Sequence, residues 1–182
     1  MRRSFVAAVA VVFLLAGGQA AQAASPNLVL SQIYGGGGNA SAQYTHDLIE
    51  IFNRGTTSVS LAGLSLQYAS ATGTGNLGAN SSQLTELTGG TLAPGQYFLV
   101  QEASGTSPAP GPNFVADVID ATPINMAAGG GKVALVTGTT SLGCNGGSAP
   151  CSAAALARII DLIGYDGANF FEGASAAPTL SN

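Results

Sequence analysis

The sequence has no tryptophan, a single histidine and few charged side chains. It carries 5 lysines and arginines against 9 aspartates and glutamates, a net charge of −4 at pH 7. So few cations exclude the concentrated basic surface that nucleic acids and anionic membranes require. The few titratable groups are scattered and form no recognisable acid–base set, so we expect no enzyme and no catalytic residue.

Glycine, by contrast, is abundant, with 26 residues. High glycine with many threonines, serines and valines is typical of short strands joined by turns. The 182 residues suit one domain and a removable leader. A chain of this size without its leader buries enough surface for a single core.

Residues 1–23 have the pattern of a signal peptide. Arg2 and Arg3 form a positive start, an apolar run follows over 5–16, and Ala21-Gln22-Ala23 is an A-x-A cleavage site. The alternative, a membrane anchor, fits less well because the apolar run is short for a span. We therefore expect a secreted protein, periplasmic or extracellular, that starts at Ala24 and has no membrane attachment.

The stretch 47–66 organises the predicted fold as strand, turn and strand. Ile49 and Ile51 point to one side of an extended strand, and Leu48, Glu50 and Phe52 point to the other. Further strand-like runs follow the same pattern, and 153–158 could form one helical turn. Seven or eight short strands without a long helix predict an all-β, antiparallel β-sandwich. The other runs are 28–34, 64–69, 84–87, 96–101, 132–137 and 159–165.

Two features near the start of the chain contain part of a functional motif but lack its other parts. The glycine-rich stretch 35–39 follows a strand, yet no Gly-Lys-Ser/Thr, helix pattern or cation accompanies it, so we predict a mobile loop or wide bend. His46 precedes Asp47, but a triad needs a placed nucleophile and a zinc site needs more ligands. We predict a surface histidine at a strand entrance.

Cys144 and Cys151 are predicted to form a disulfide. They lie close in sequence in a chain expected to be secreted, where disulfides persist. The loop they close is short, so the expected stabilisation is modest, about 2–3 kcal/mol.

The acidic residues leave one metal hypothesis open. No EF-hand or calcium-binding repeat is present, and no cofactor is expected. Acidic loops in an extracellular β domain can nevertheless bind calcium, and Asp117 with Asp120 are the candidates. On this hypothesis the protein is a calcium-stabilised adhesive module.

Three tyrosines at loop edges are the candidate binding surface: Tyr34, Tyr44 and Tyr68. Tyrosines in such positions recognise proteins or sugars, so the partner would be an extracellular protein or a glycan. The alternative is that they pack on the rim of the sandwich.

Six segments, taken together, carry a resemblance to a known family: 28–39, 47–55, 59–68, 92–100, 131–135 and 161–165 with 172–173. They resemble the lamin tail domain family in its secreted bacterial form. The resemblance implies an immunoglobulin-like β-sandwich over 24–182 and no shared catalytic residues. The family usually has tryptophan where this chain has Leu64, which replaces one large core residue with a smaller one.

The resemblance also implies a function. It favours a secreted, non-catalytic module for binding or scaffolding at or outside the cell surface. Similar modules often precede a nuclease or phosphoesterase domain, so the alternative is the N-terminal accessory part of such an enzyme. The ending at Asn182 is abrupt compared with similar sequences, and we expect either a truncated or a free-standing module.

Overall fold

The computed structural model describes residues 25–107, 111 and 114–179. The predicted signal peptide at 1–23 and the chain end at Asn182 lie outside the described residues. Short strands dominate the described part, with one helical turn and one 3₁₀ turn. The strands are β1 Leu28–Tyr34, β2 His46–Asn53, β3 Val59–Ser60, β4 Leu64–Ser70, β5 Leu84–Leu87, β6 Thr91–Leu92, β7 Tyr97–Ser104, β8 Val118–Ile119, β9 Gly131–Thr137 and β10 Ile159–Tyr165, and the helix is α1 Ala153–Leu156.

The strands form two four-stranded sheets and one small pair. The first sheet has the order β1-β2-β7-β8, the second has the order β10-β9-β4-β5, and β3 pairs with β6. This confirms the predicted all-β sandwich. Two details differ from the prediction: three additional strands are only two residues long, and β8 runs parallel to β7.

The alternation along β2 explains how the first sheet is oriented. Ile49 and Ile51 are fully buried and lie opposite Val100 and Phe98 on β7. These side chains face the second sheet, and they share one side of β2, as the sequence predicted. A shift of one residue would turn them to solvent, so the pattern sets the register.

The main core lies between the two sheets. It consists of aliphatic side chains from both inner faces together with two buried tyrosines, Tyr68 and Tyr165. Leu64, at the position where the family usually has tryptophan, belongs to this core and is buried. The smaller side chain is therefore accommodated without exposing the site.

The outer face of the second sheet is covered by the chain itself. A second apolar cluster joins β4, β9 and β10 to the segment around the Cys144–Cys151 disulfide and to α1. The predicted disulfide is thus present, and its short loop lies against this sheet. Because both faces are packed, almost every residue of β4 and β9 is buried.

A buried lysine ties three loops to that covered face. Lys132 is fully buried on β9, and its Nζ donates to the backbone oxygen of Asn145 and to Oδ1 of Asn169 at 2.9 Å each. Asn145 in turn donates to the backbone oxygens of Gly73 and Gly75. Burial lowers the pKa of Lys132. The polar network explains why this side of the molecule is closed.

The glycine-rich loop after β1 is a packed bend, which favours the second of the two predicted alternatives, a mobile loop or a wide bend. Residues 35–38 are buried, and the Gly37 N–H donates to Oδ1 of Asp47 at 2.6 Å. A side chain at Gly37 would overlap the backbone of His46. The loop's N–H therefore binds an internal carboxylate, and glycine is required because the two backbones approach closely.

Candidate functional site

The outer face of the first sheet is open, in contrast to that of the second. On β2 the outward side chains are Leu48, Glu50 and Phe52, and the residues opposite them on β7 are Gln101, Leu99 and Tyr97. Most of them are partly or well exposed, and Tyr97 is 57% exposed. We call this surface, with Gln32 of β1 and the overlying Tyr44 and Phe114, the open face.

Two aromatic pairs lie on the open face. Phe52 and Tyr97 are stacked, with ring centroids 4.5 Å apart and an interplanar angle of 30°. Tyr44 and Phe114 have centroids 4.7 Å apart at 53°. Because Tyr44 also meets the buried Tyr34 edge to face at 5.2 Å, its ring is held in place from beneath.

A shallow groove of about 160 Å³ lies on this face, at the second aromatic pair. That volume is below the roughly 300–1,000 Å³ typical of small-molecule pockets. The groove therefore fits one ring-sized group of a larger ligand better than a whole cofactor. Its lining is Gln32, Tyr44, Leu48, Glu50, Leu99 and Phe114.

The polar groups of the groove are a carboxylate and an amide. Oε1 of Glu50 accepts a hydrogen bond from the Ser31 hydroxyl at 2.7 Å, which orients the carboxylate. The amide of Gln32 lies opposite Glu50 across the β1–β2 pair. The groove lining contains no lysine or arginine, so the site offers no positive charge to an anionic ligand.

Of the three predicted tyrosines, only Tyr44 lies at this surface. Tyr34 and Tyr68 are each 6% exposed. The Tyr34 hydroxyl accepts from the N–H of Gln43, and that of Tyr68 accepts from the N–H of Ala127. Both are packing residues: Tyr34 lies beneath Tyr44, and Tyr68 lies in the main core between the sheets rather than on the rim.

The buried carboxylates at one end of the sandwich are structural. Asp47 accepts from the N–H groups of Gly37 and Met126, and Glu102 accepts from the Ile124 N–H and the Thr85 hydroxyl. Burial outweighs these bonds and raises the pKa of Asp47 to about 6 and that of Glu102 to about 7. Each is 2% exposed, so no substrate reaches them.

A second carboxyl pair joins the two sheets at the edge of the sandwich. Oδ2 of Asp161 accepts from the Leu30 N–H at 2.6 Å, which occupies a donor on the free edge of β1. Burial, and the neighbouring carboxyl group of Asp161, raise the pKa of Glu172 to about 7. This pair therefore closes an edge rather than forming a site.

The calcium candidates are already engaged with backbone. Oδ2 of Asp117 accepts from the Leu99 N–H at 2.8 Å, and Oδ1 of Asp120 accepts from the Thr122 N–H at 3.1 Å. Within the described ranges, no three His, Cys, Asp or Glu side chains group in a way that could hold a metal ion. His46 begins β2 half-buried, opposite Ser104.

Sequence reasoning missed most of the open face. The alternation of Leu48, Glu50 and Phe52 was visible, and it placed them on one side of β2. Nothing in the sequence indicated that this side would stay uncovered, or that Phe114, in an irregular segment, would lie against Tyr44. Tyr97 could have been found, because it lies in the strand-like run 96–101 and shares one side of it with Leu99 and Gln101.

The fold and the open face define a small immunoglobulin-like β module, and comparison with known families agrees. The Lamin Tail Domain family matches residues 21–147, more than half of the chain. The chain belongs to this family. No curated protein matches it. In the part of the chain that the structure describes, no helix has the length and apolar character needed to cross a membrane.

The matched range ends before the fold does. It stops within the disulfide loop, yet β10 at Ile159–Tyr165 pairs with β9 along its length. Tyr165 of β10 is fully buried in the main core. The structural unit thus extends beyond the matched residues.

Proposed function

We propose that the chain is a secreted, non-catalytic binding module and that it binds through the open face. The observation that carries the proposal is the asymmetry of the sandwich. The outer face of the second sheet is packed over β4, β9 and β10, whereas that of the first presents aromatic pairs, a groove and hydrogen-bonding side chains. Exposed aromatic side chains beside hydrogen-bonding groups are typical of interaction sites.

Membership of the lamin tail family and the disulfide support a binding module that works outside the cytoplasm. The family is an immunoglobulin-like fold, and a disulfide suits an oxidising compartment outside the cytoplasm. The buried carboxylates of Asp47 and Glu102 accept from backbone N–H groups, and the open face has a single carboxylate in its groove, Glu50. The groove therefore lacks the second carboxylate that a general acid–base pair with Glu50 would need.

The alternative is an accessory role beside a nuclease or phosphoesterase domain. The open face would then hold that enzyme near its substrate, and the binding chemistry would be the same. The intact mass of the protein secreted by its native host separates the two versions: a mass for 24–182 less two hydrogens supports a free-standing module, and a much larger mass supports the accessory role.

Binding at the open face is tested with labelled mature protein and isolated cell envelope from the native host. Saturable binding is expected for the wild type, with loss in Tyr97→Ala and Phe114→Ala. Phe171→Ala is the matched control, because Phe171 is a half-buried aromatic beside β10 on the other sheet. Binding that is absent, or that persists in both face variants, would contradict the proposal.

A further inference from the structure

We propose that the ligand of the open face is a neutral glycan chain. The inference rests on the proposed function and names the class of ligand for the same surface. It is carried by the arrangement of rings and polar groups along the first sheet, together with the charge of that surface.

The rings supply two platforms. A sugar ring presents C–H groups on its faces, and these pack on the electron-rich face of an aromatic side chain. Tyr97, stacked on Phe52, is the most exposed ring of the face, and Phe114 with Tyr44 forms the second platform. Both pairs are already packed, so ligand binding orders few side chains and loses little conformational entropy.

The polar groups lie between the platforms. On β2, Glu50 is two residues from Phe52, which is about 7 Å along a strand. Its carboxylate accepts hydrogen bonds, and the Gln32 amide both donates and accepts, as vicinal sugar hydroxyls require. The order of ring, polar groups and ring along β2 suits a chain of sugar residues laid along the strands.

The charge of the groove favours an uncharged polysaccharide. The groove contains the carboxylate of Glu50 and no cation. In the described chain, Lys132 is buried on the second sheet and Arg158 donates to the backbone of Thr137 there. Arg54 follows the end of β2 and does not line the groove. A uronic-acid, sulfated or phosphate-bearing polymer would meet repulsion at Glu50 without a compensating cation in the groove.

A protein partner fits the surface less well. Stable protein interfaces bury about 800 Å² on each partner around an apolar centre. Here Glu50 and Gln32 occupy the centre, while the most exposed aliphatic side chains, Val115 and Ile119, lie at the β8 edge. Single exposed aliphatic residues are normal on protein surfaces and do not define an interface.

Affinity electrophoresis of the mature protein tests the ligand class. Native gels are cast with hydroxyethylcellulose, galactomannan, arabinoxylan or glycogen, and with alginate as a polyanion. We expect retardation by at least one neutral polymer and none by alginate. Tyr97→Ala and Phe114→Ala should weaken the apparent affinity about tenfold or more, as expected for exposed aromatic anchors.

The controls separate stacking from folding. Tyr97→Phe keeps the ring and should retain binding within about twofold, Glu50→Gln keeps the shape and tests the polar contact, and Phe171→Ala should bind as the wild type. Circular dichroism and the melting temperature verify the fold of each variant.

Three outcomes overturn the glycan assignment: no retardation by any neutral polymer, equal retardation of the wild type and both ring variants, or retardation by alginate alone. Envelope binding that Tyr97→Ala abolishes, together with no polysaccharide retardation, would overturn the glycan class and leave the open face as a protein-binding site. If the wild-type protein shows neither envelope binding nor retardation by a polysaccharide, the proposed function is overturned as well.

Discussion

Glu102 makes the stability of this domain depend on pH in a direction that is unusual for a carboxylate. The side chain is buried between the sheets and accepts from Ile124 and Thr85. Burial, opposed by these bonds and reinforced by the charges of Asp120 and Asp47, raises its pKa from an ordinary 4.5 to about 7. The folded protein therefore holds this proton more tightly than the unfolded chain does.

The sign of the effect follows from that difference. Because the folded pKa is the higher one, the stabilisation is complete below pH 4.5 and is lost as the pH rises through 7. A pKa difference of this size corresponds to about 3 kcal/mol. Glu102 is 2% exposed, so solvent screening does not reduce the figure. Asp47, whose pKa burial raises to about 6, adds a further loss over a lower pH range.

Glu102→Gln removes the titration and keeps the shape of the protonated acid. The amide oxygen can accept from Ile124, and the amide nitrogen can donate to the Thr85 hydroxyl. We expect the free energy of unfolding of the variant, relative to the wild type, to rise by about 3 kcal/mol between pH 4.5 and pH 8. For a domain of this size that is about 6–12 °C in melting temperature.

The assay is urea unfolding followed by far-ultraviolet circular dichroism, at four or more values between pH 4.5 and pH 8. Glu86→Gln is the matched control, because Glu86 is exposed on β5 beside Thr85. It should follow the wild-type profile. A difference between Glu102→Gln and wild type that stays constant with pH, or that falls as the pH rises, would refute the reasoning about burial.

Three other predictions concern the fold. Replacing both Cys144 and Cys151 with serine should cost about 2–3 kcal/mol, and reduction should lower the melting temperature by about 5–10 °C, because the loop is short; an unchanged melting temperature would contradict this. A chain ended after residue 147 should not give a cooperative unfolding transition, since it lacks β10 and the buried Tyr165; a stable, monomeric sandwich from that fragment would show that β10 is dispensable. Gly37→Ala should destabilise the domain by about 1–3 kcal/mol, because the added methyl group meets the His46 backbone. Gly75→Ala is the control and should cost much less, because the space around Gly75 is open. Equal melting temperatures of the two variants would argue against the close packing at Gly37.

The sequence predicted the parts of the fold that depend on local alternation. Ile49 and Ile51 were placed on one side of β2, and Leu48, Glu50 and Phe52 on the other, because successive side chains on a strand face opposite sides. The long strands and the disulfide follow from similarly local patterns. The two-residue strands carry too few residues to show any periodicity, and β8 was therefore not predicted as a strand.

The candidate site depended on packing between segments that are distant in sequence. Tyr34 packs against Tyr44 and Tyr68 lies in the main core, contacts that no local pattern reveals. The disulfide loop and α1 cover the second sheet and not the first, which the sequence did not indicate either. The contact of Asp47 with the glycine-rich loop is another of this kind.

Hydrogen-exchange mass spectrometry of the mature protein, with and without isolated envelope from its native host, tests the central claim most directly. Binding at the open face predicts slower exchange in peptides that cover 44–52, 97–101 and 114–119, with no change in 131–137 and 159–165. Protection confined to the second sheet, or no protection while the protein is bound, would contradict the account.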